Sequence, residues 1–188
     1  VYNKHIVCDE KNIYLRPEMV VDQLHVCSLI FIDFDTIILR VDSLEGLKVD
    51  GYIICSVLSG GVMGNNKAAT VQQQGINLPA LSKKDAKSLE IAKKYNINLC
   101  SMSFVDSADD VLAFKKLHPD VKVAAKIETE KGVNKLGKIL DVTGGIIIDR
   151  GDLSREIPLE RIAFAQKIII KNANAKNIPV FVATNLLD

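Results

Sequence analysis

Three charged side chains stand at spacings that suit phosphoryl or metal chemistry: Lys126, Glu128 and Asp152. In Val121–Ile127 apolar Val121, Val123, Ala125 and Ile127 alternate with Lys122, Ala124 and Lys126, which is a strand period. Lys126 and Glu128 therefore share one strand face. Gly145-Ile146-Ile147-Ile148 is a second, fully apolar strand, and it runs into Asp149-Arg150-Gly151-Asp152. A lysine and two carboxylates thus fall at the ends of neighbouring parallel strands, where α/β folds place their chemistry. Magnesium takes hard oxygen ligands and keeps several waters, so Glu128 and Asp152 with substrate oxygens suffice. Phosphoryl transfer needs positive charge around the moving group, which Lys126 could supply. Thr184, at the end of the next strand, offers a hydroxyl.

Bland readings stand beside these. A Lys-x-Glu pair on a strand is usually a solvated face. Here helices should cover one face and neighbouring side chains the other, so an inward Lys126 and Glu128 need each other, a metal or a ligand. Asp152 has a second reading as N-cap of the turn Leu153–Glu156. A β-branched residue such as Thr184 is ordinary at a strand end. Lys67 sits in a polar Gly-Asn-Asn-Lys loop, where a lysine is normally solvated. The Lys83-Lys84 and Lys93-Lys94 pairs read as helix surface.

The elements that must position these residues begin at Asn77. Strands at 97–104, 121–127, 145–148 and 178–183 alternate with helices near 84–95, 107–117, 131–140 and 159–176. That alternation means parallel βαβ units with right-handed crossovers. Ser82 and Asp85 form an N-cap pair for the first helix. Residues 21–76 read instead as a small all-β unit. Its short runs are Leu29–Ile32, Ile37–Leu39 and Tyr52–Val57, with Asn12–Leu15 a weak strand before them. No ten-residue helical pattern appears there. The expected domains are therefore 1–76 and 77–188. Four strands cannot close a (β/α)8 barrel, which needs eight and typically ~250 residues.

Composition limits the partners. The hydrophobic fraction of 48% builds a core, and a net charge of +1 does not suit nucleic acid or a membrane surface. No apolar run approaches the roughly 20 residues of a span, and VYNKHIVCDEKN lacks a signal-peptide core. Cys8, Cys27, Cys55 and Cys100 are widely spaced, which suits a reducing cytosol rather than a disulfide framework. His5, His25 and His118 form no ligand spacing.

The chain resembles the pyruvate kinase family. The likeness is carried by Ala125-Lys126-Ile127-Glu128, Arg150-Gly151-Asp152-Leu153, Glu156-Ile157-Pro158, Ala165-Gln166-Lys167, Pro179-Val180 and Ala183-Thr184. Upstream it includes Leu78-Pro79-Ala80-Leu81-Ser82 with Asp85, and Ser103-Phe104. The resemblance implies an α/β fold: a partial (β/α)8 TIM-type barrel (77–188) with a small all-β lid domain (1–76). It implies a cytoplasmic glycolytic enzyme that transfers a phosphoryl group from phosphoenolpyruvate to ADP, giving pyruvate and ATP. Mg2+ (or Mn2+) and K+ would be its cofactors, with the K+ ligands upstream of residue 1, and the full-length protein would be a homo-oligomer, a tetramer in the family. Lys126 would contact the transferring phosphoryl. Glu128 and Asp152 would hold the metal. The amides of Gly151 and Asp152 would hold the substrate carboxylate, Thr184 would line the pyruvate site, and Lys67 would contact nucleotide.

Several positions depart from the family pattern. Asp149 replaces an alanine, Ser154 a glycine and Asp106 a basic residue. Asp33-Phe34-Asp35 replaces Asp-Asp-Gly, Ala68–Gln73 replaces a Gly-Val-Asn-Leu-Pro-Gly segment, and Asn185-Leu186-Leu187 replaces Gln-Met-Leu. If Asp149 points into the site, it adds a third carboxylate beside Glu128 and Asp152. That charge would tighten a divalent cation but repel an anionic substrate, with repulsion expected to win. Otherwise Asp149 is neutralised by Arg150 or another base. Two alternatives to catalysis by phosphoryl transfer remain. One is a non-catalytic homologue serving as a binding or assembly module. The weaker one is a pyruvate aldolase on a similar barrel. Lys126→Met is expected to cut turnover and leave metal binding in place.

Overall fold

A computed structural model of the chain describes residues 1–33, 35–72 and 76–184. The chain divides into two compact units, Val1–Leu78 and Pro79–Asp188.

The first unit holds an antiparallel sheet built from β1 (Leu29–Ile32), β2 (Ile37–Ser43), β3 (Ile54–Ser59) and β4 (Ala69–Gln72), in the order β3-β2-β1-β4. Alternation along β1 and β2 buries Ile30, Ile32, Ile37, Leu39 and Val41 on one face. Ile53, Leu24 and Val21 complete that core. Three features differ from expectation. A 3₁₀ helix at Glu18–Gln23 carries Val20 and Val21 inward. Six residues of 3₁₀ have no 3.6-residue period, so no helical pattern announces it. Asn12–Leu15 forms no strand, and only Tyr14 bridges to Tyr2. Strand β4 adds to the free edge of β1 through Val71 opposite Ile30, although its own run is too short to be read alone.

The second unit is a four-stranded parallel sheet, β5 (Leu99–Met102), β6 (Lys122–Ile127), β7 (Gly145–Asp149) and β8 (Val180–Ala183), in sequential order. The helices are α1 (Lys83–Lys94), α2 (Ala108–Leu117), α3 (Glu130–Asn134), α4 (Leu136–Leu140), α5 (Arg150–Leu153) and α6 (Leu159–Ala175). Met102, Val123, Ala125, Ile127, Ile146 and Ile148 form one buried cluster with apolar residues from α1, α2, α4 and α6. The fold is α/β, and among the described residues the parallel sheet is open, not a closed barrel. The opposite sheet face is less covered than expected, since Leu99 and Phe181 are exposed on it.

The single helix expected over 131–140 is two. It breaks at Lys135, which ends α3 and precedes α4. Gly132 and Gly137 weaken a continuous helix. Gly132 also has a packing role, because a Cβ there would lie 2.5 Å from the Val105 carbonyl oxygen. Thr129 caps α3 by accepting the Gly132 N–H. At α1 the expected pair is present: Asp85 N–H donates to Ser82 Oγ, and Ser82 N–H to Asp85 Oδ2.

Candidate active site

Register brings the charged residues together. Lys126 pairs with Ile147 across β6 and β7, and Asp149 pairs with Ala183 across β7 and β8. The two-residue strand period then puts Lys126 and Glu128 on the face of Ile147 and Asp149. Thr184 follows directly on Ala183.

Glu128 is almost completely buried. Its Oε2 accepts the Phe104 N–H at 2.6 Å. Phe104 has φ 53°, an unusual backbone for a bulky residue, at the turn that delivers this amide. Oε1 lies 2.5 Å from Lys126 Nζ and has no hydrogen bond of good geometry, so the contact is an ion pair rather than a directed bond. Lys126 Nζ also lies 3.2 Å from Asp149 Oδ2. Burial pushes the Glu128 carboxyl above its ordinary range and Asp152 adds to the push, against the opposing pull of Lys126 and the Phe104 amide. Burial disfavours charge on Lys126, but Glu128 and Asp149 outweigh it and hold the lysine above its usual value. Burial also acts to raise Asp149, yet Thr184, Lys126 and the Asp152 amide together bring it below the ordinary carboxylate range.

Asp149 is the hub of the cluster. Its Oδ1 accepts the Thr184 hydroxyl at 2.8 Å and the Asp152 N–H at 3.5 Å. It therefore caps α5, and the reading of Asp152 as a cap for Leu153–Glu156 is corrected: the helix is Arg150–Leu153 and its cap is Asp149. The Asp152 carboxylate instead pairs with Arg155 at 2.8 Å. Arg150 donates from Nε and Nη2 to the Thr184 carbonyl at 3.1 and 2.6 Å. The base that pairs with Asp149 is thus Lys126, which it shares with Glu128. Gly151 sits under Thr184, where a Cβ would approach Thr184 Cγ2 to 3.1 Å. Ser154 donates its hydroxyl to the Gly151 carbonyl. Asp106 is occupied in the β5–α2 loop, accepting the Thr129 hydroxyl at 2.5 Å.

Lys67 lies in the first unit, 2.9 Å from Asp33 Oδ2, and is not solvated alone. Phe34, Gln73 and Asn185-Leu186-Leu187, singled out as departures, lie outside the described residues. His118 is buried with Nε2 3.2 Å from the Ile97 carbonyl, a core position. All four cysteines are free. No helix among the described residues is long and apolar enough to cross a membrane.

The donor set fits a hard divalent cation. One carboxylate oxygen each from Glu128, Asp149 and Asp152 lie within 4.8 Å of one another. Residue types and spacing singled out Glu128 and Asp152, which the structure brings together, but gave no sign of the Phe104 amide or of Arg155. Strand period offered a signal for Asp149, which lies two residues after Ile147 on the Lys126 face.

The fold and cluster define an α/β protein with a charged, cation-compatible site at the carboxyl ends of parallel strands. A family model described as pyruvate kinase, barrel domain, matches residues 2–188. Pyruvate kinase of Clostridium acetobutylicum is 37% identical over 164 residues, covering 85% of this chain and 34% of the relative. That of Geobacillus stearothermophilus is 36% identical over 174 residues, covering 90% and 29%. Pyruvate kinase PKLR of Rattus norvegicus is 34% identical over 186 residues, covering 96% and 31%. This chain belongs to the pyruvate kinase family. It spans about a third of the length of these relatives.

Proposed function

We propose that the complete polypeptide containing these residues transfers a phosphoryl group from phosphoenolpyruvate to ADP, giving pyruvate and ATP. The observation that carries this reading is the convergence of Lys126, Glu128, Asp149, Asp152 and Thr184 at three adjacent strand ends in a chain of this family. Lys126 would meet the negative charge of the transferring phosphoryl, an interaction that strengthens as that charge is redistributed in the transition state. Glu128 and Asp152 would hold Mg2+ or Mn2+. A divalent cation there supplies charge neutralisation at phosphoryl oxygens. The Gly151 and Asp152 amides would receive the substrate carboxylate, with the Asp152 N–H first leaving Asp149. Thr184 would line the pyruvate subsite. Its hydroxyl hydrogen goes to Asp149, so it faces substrate as an acceptor. Lys67 would contact nucleotide after release from Asp33. K+, a cytoplasmic location, assembly into a homo-oligomer, and the parsing of the two units as lid and partial barrel belong to the same proposal.

One observation favours the second reading, a binding or assembly module. Both lysines that would meet anionic substrates are already paired with carboxylates, Lys126 with Glu128 and Asp149, and Lys67 with Asp33. A coupled assay of the complete polypeptide separates the two. Mg2+-dependent ATP formation from phosphoenolpyruvate and ADP supports the enzyme. Absence of turnover by a folded, metal-binding protein supports the module.

A further inference from the structure

We propose that Asp149 is a third carboxylate of the cation site, and that a divalent cation and the Lys126 ammonium compete for Glu128 and Asp149. The inference rests on the metal-site part of the function proposed above.

The geometry carries it. Lys126 Nζ lies 2.5 Å from Glu128 Oε1 and 3.2 Å from Asp149 Oδ2. Those two carboxylates, with Asp152, offer oxygens within 4.8 Å of one another, a span suited to one cation. Glu128 is 1% exposed, and its Oε1 has no hydrogen-bond partner of good geometry, only the ion pair with Lys126. A buried carboxylate oxygen without a directed donor is costly unless a positive charge faces it. Asp149 Oδ1 is committed to Thr184 and to the Asp152 amide, whereas Oδ2 faces the lysine. Glu128 Oε1 and Asp149 Oδ2 thus converge on a single positive charge.

An ammonium and a divalent cation cannot share those oxygens without strong repulsion. Metal entry therefore moves Lys126 off the two carboxylates and frees its charge for an anionic ligand. Metal binding and lysine availability become one coupled event, and the Asp149 charge favours the divalent cation over the monovalent ammonium. Lys126→Met, expected to leave metal binding in place, should by this exchange also tighten it, because the competitor is removed.

The test is an Mn2+ titration, followed by electron paramagnetic resonance of free Mn2+, on the complete polypeptide without substrates. Lys126→Met should bind Mn2+ at least ~10-fold more tightly than the parent, because a unit charge a few ångströms away is worth well over RT. Lys126→Arg, which keeps the charge, should stay near the parent. Asp149→Asn keeps an oxygen for Thr184 and the α5 cap but loses the charge, and should bind at least ~10-fold more weakly. Thermal unfolding of each variant reports that it is folded. Unchanged or weaker affinity in Lys126→Met overturns the competition, and unchanged affinity in Asp149→Asn overturns the third-carboxylate role. If the folded parent binds no Mn2+, the metal reading of the site falls with it. If the parent binds and the variants match it, only this inference falls.

Discussion

Gly151 shows how single side chains set the site. A Cβ on it would lie 3.1 Å from Thr184 Cγ2 and 3.5 Å from Asp149 Oδ1. Gly151→Ala should push Thr184 away from Asp149 and cost about 1–3 kcal/mol as overpacking. Urea unfolding of the variant checks this, and unchanged stability would contradict the packing. The same residues show what a sequence yields. Lys126, Glu128 and Asp152 were legible because strand period and strand ends are local properties. The partnership of Asp149 with Lys126 was not, because it depends on the register of β7 against β6. The Phe104 amide was invisible for a similar reason: a backbone group from a turn 24 residues away carries no side-chain signature.

At the scale of elements, the β/α alternation after residue 77 was readable from the change of apolar period, and the strands and helices lie close to those positions. The break between α3 and α4 was not, because the apolar positions Val133, Leu136, Ile139 and Leu140 continue through it. Contacts from elsewhere bear on α3. Thr129 and the Glu156 carboxylate receive its first amides, and Val105 crowds Gly132. Gly132→Ala puts a methyl 2.5 Å from a backbone oxygen that cannot rotate aside, so a cost of about 3 kcal/mol or more is expected. Ser82→Ala, by contrast, removes only one half of the α1 capping box and should cost about 1 kcal/mol. Denaturant midpoints of the two variants should rank in that order; a reversed order would contradict these assignments.

At the scale of the whole molecule, the second unit presents two edge strands, β5 and β8, with Leu99 68% and Phe181 59% exposed. Open edges with apolar side chains favour association. The 188-residue chain should therefore associate with rising concentration in sedimentation velocity, and Leu99→Lys with Phe181→Lys should shift it towards monomer. A monomeric parent at all concentrations would contradict this. The central claim is that the strand-end cluster performs phosphoryl transfer through Lys126. Its most direct test is kcat of Lys126→Met against the parent, both as complete polypeptides, at saturating phosphoenolpyruvate, ADP and Mg2+. The account predicts a fall of about 10²–10³-fold in a folded variant, as for loss of a group that stabilises transition-state charge. A kcat equal to that of the parent would contradict it.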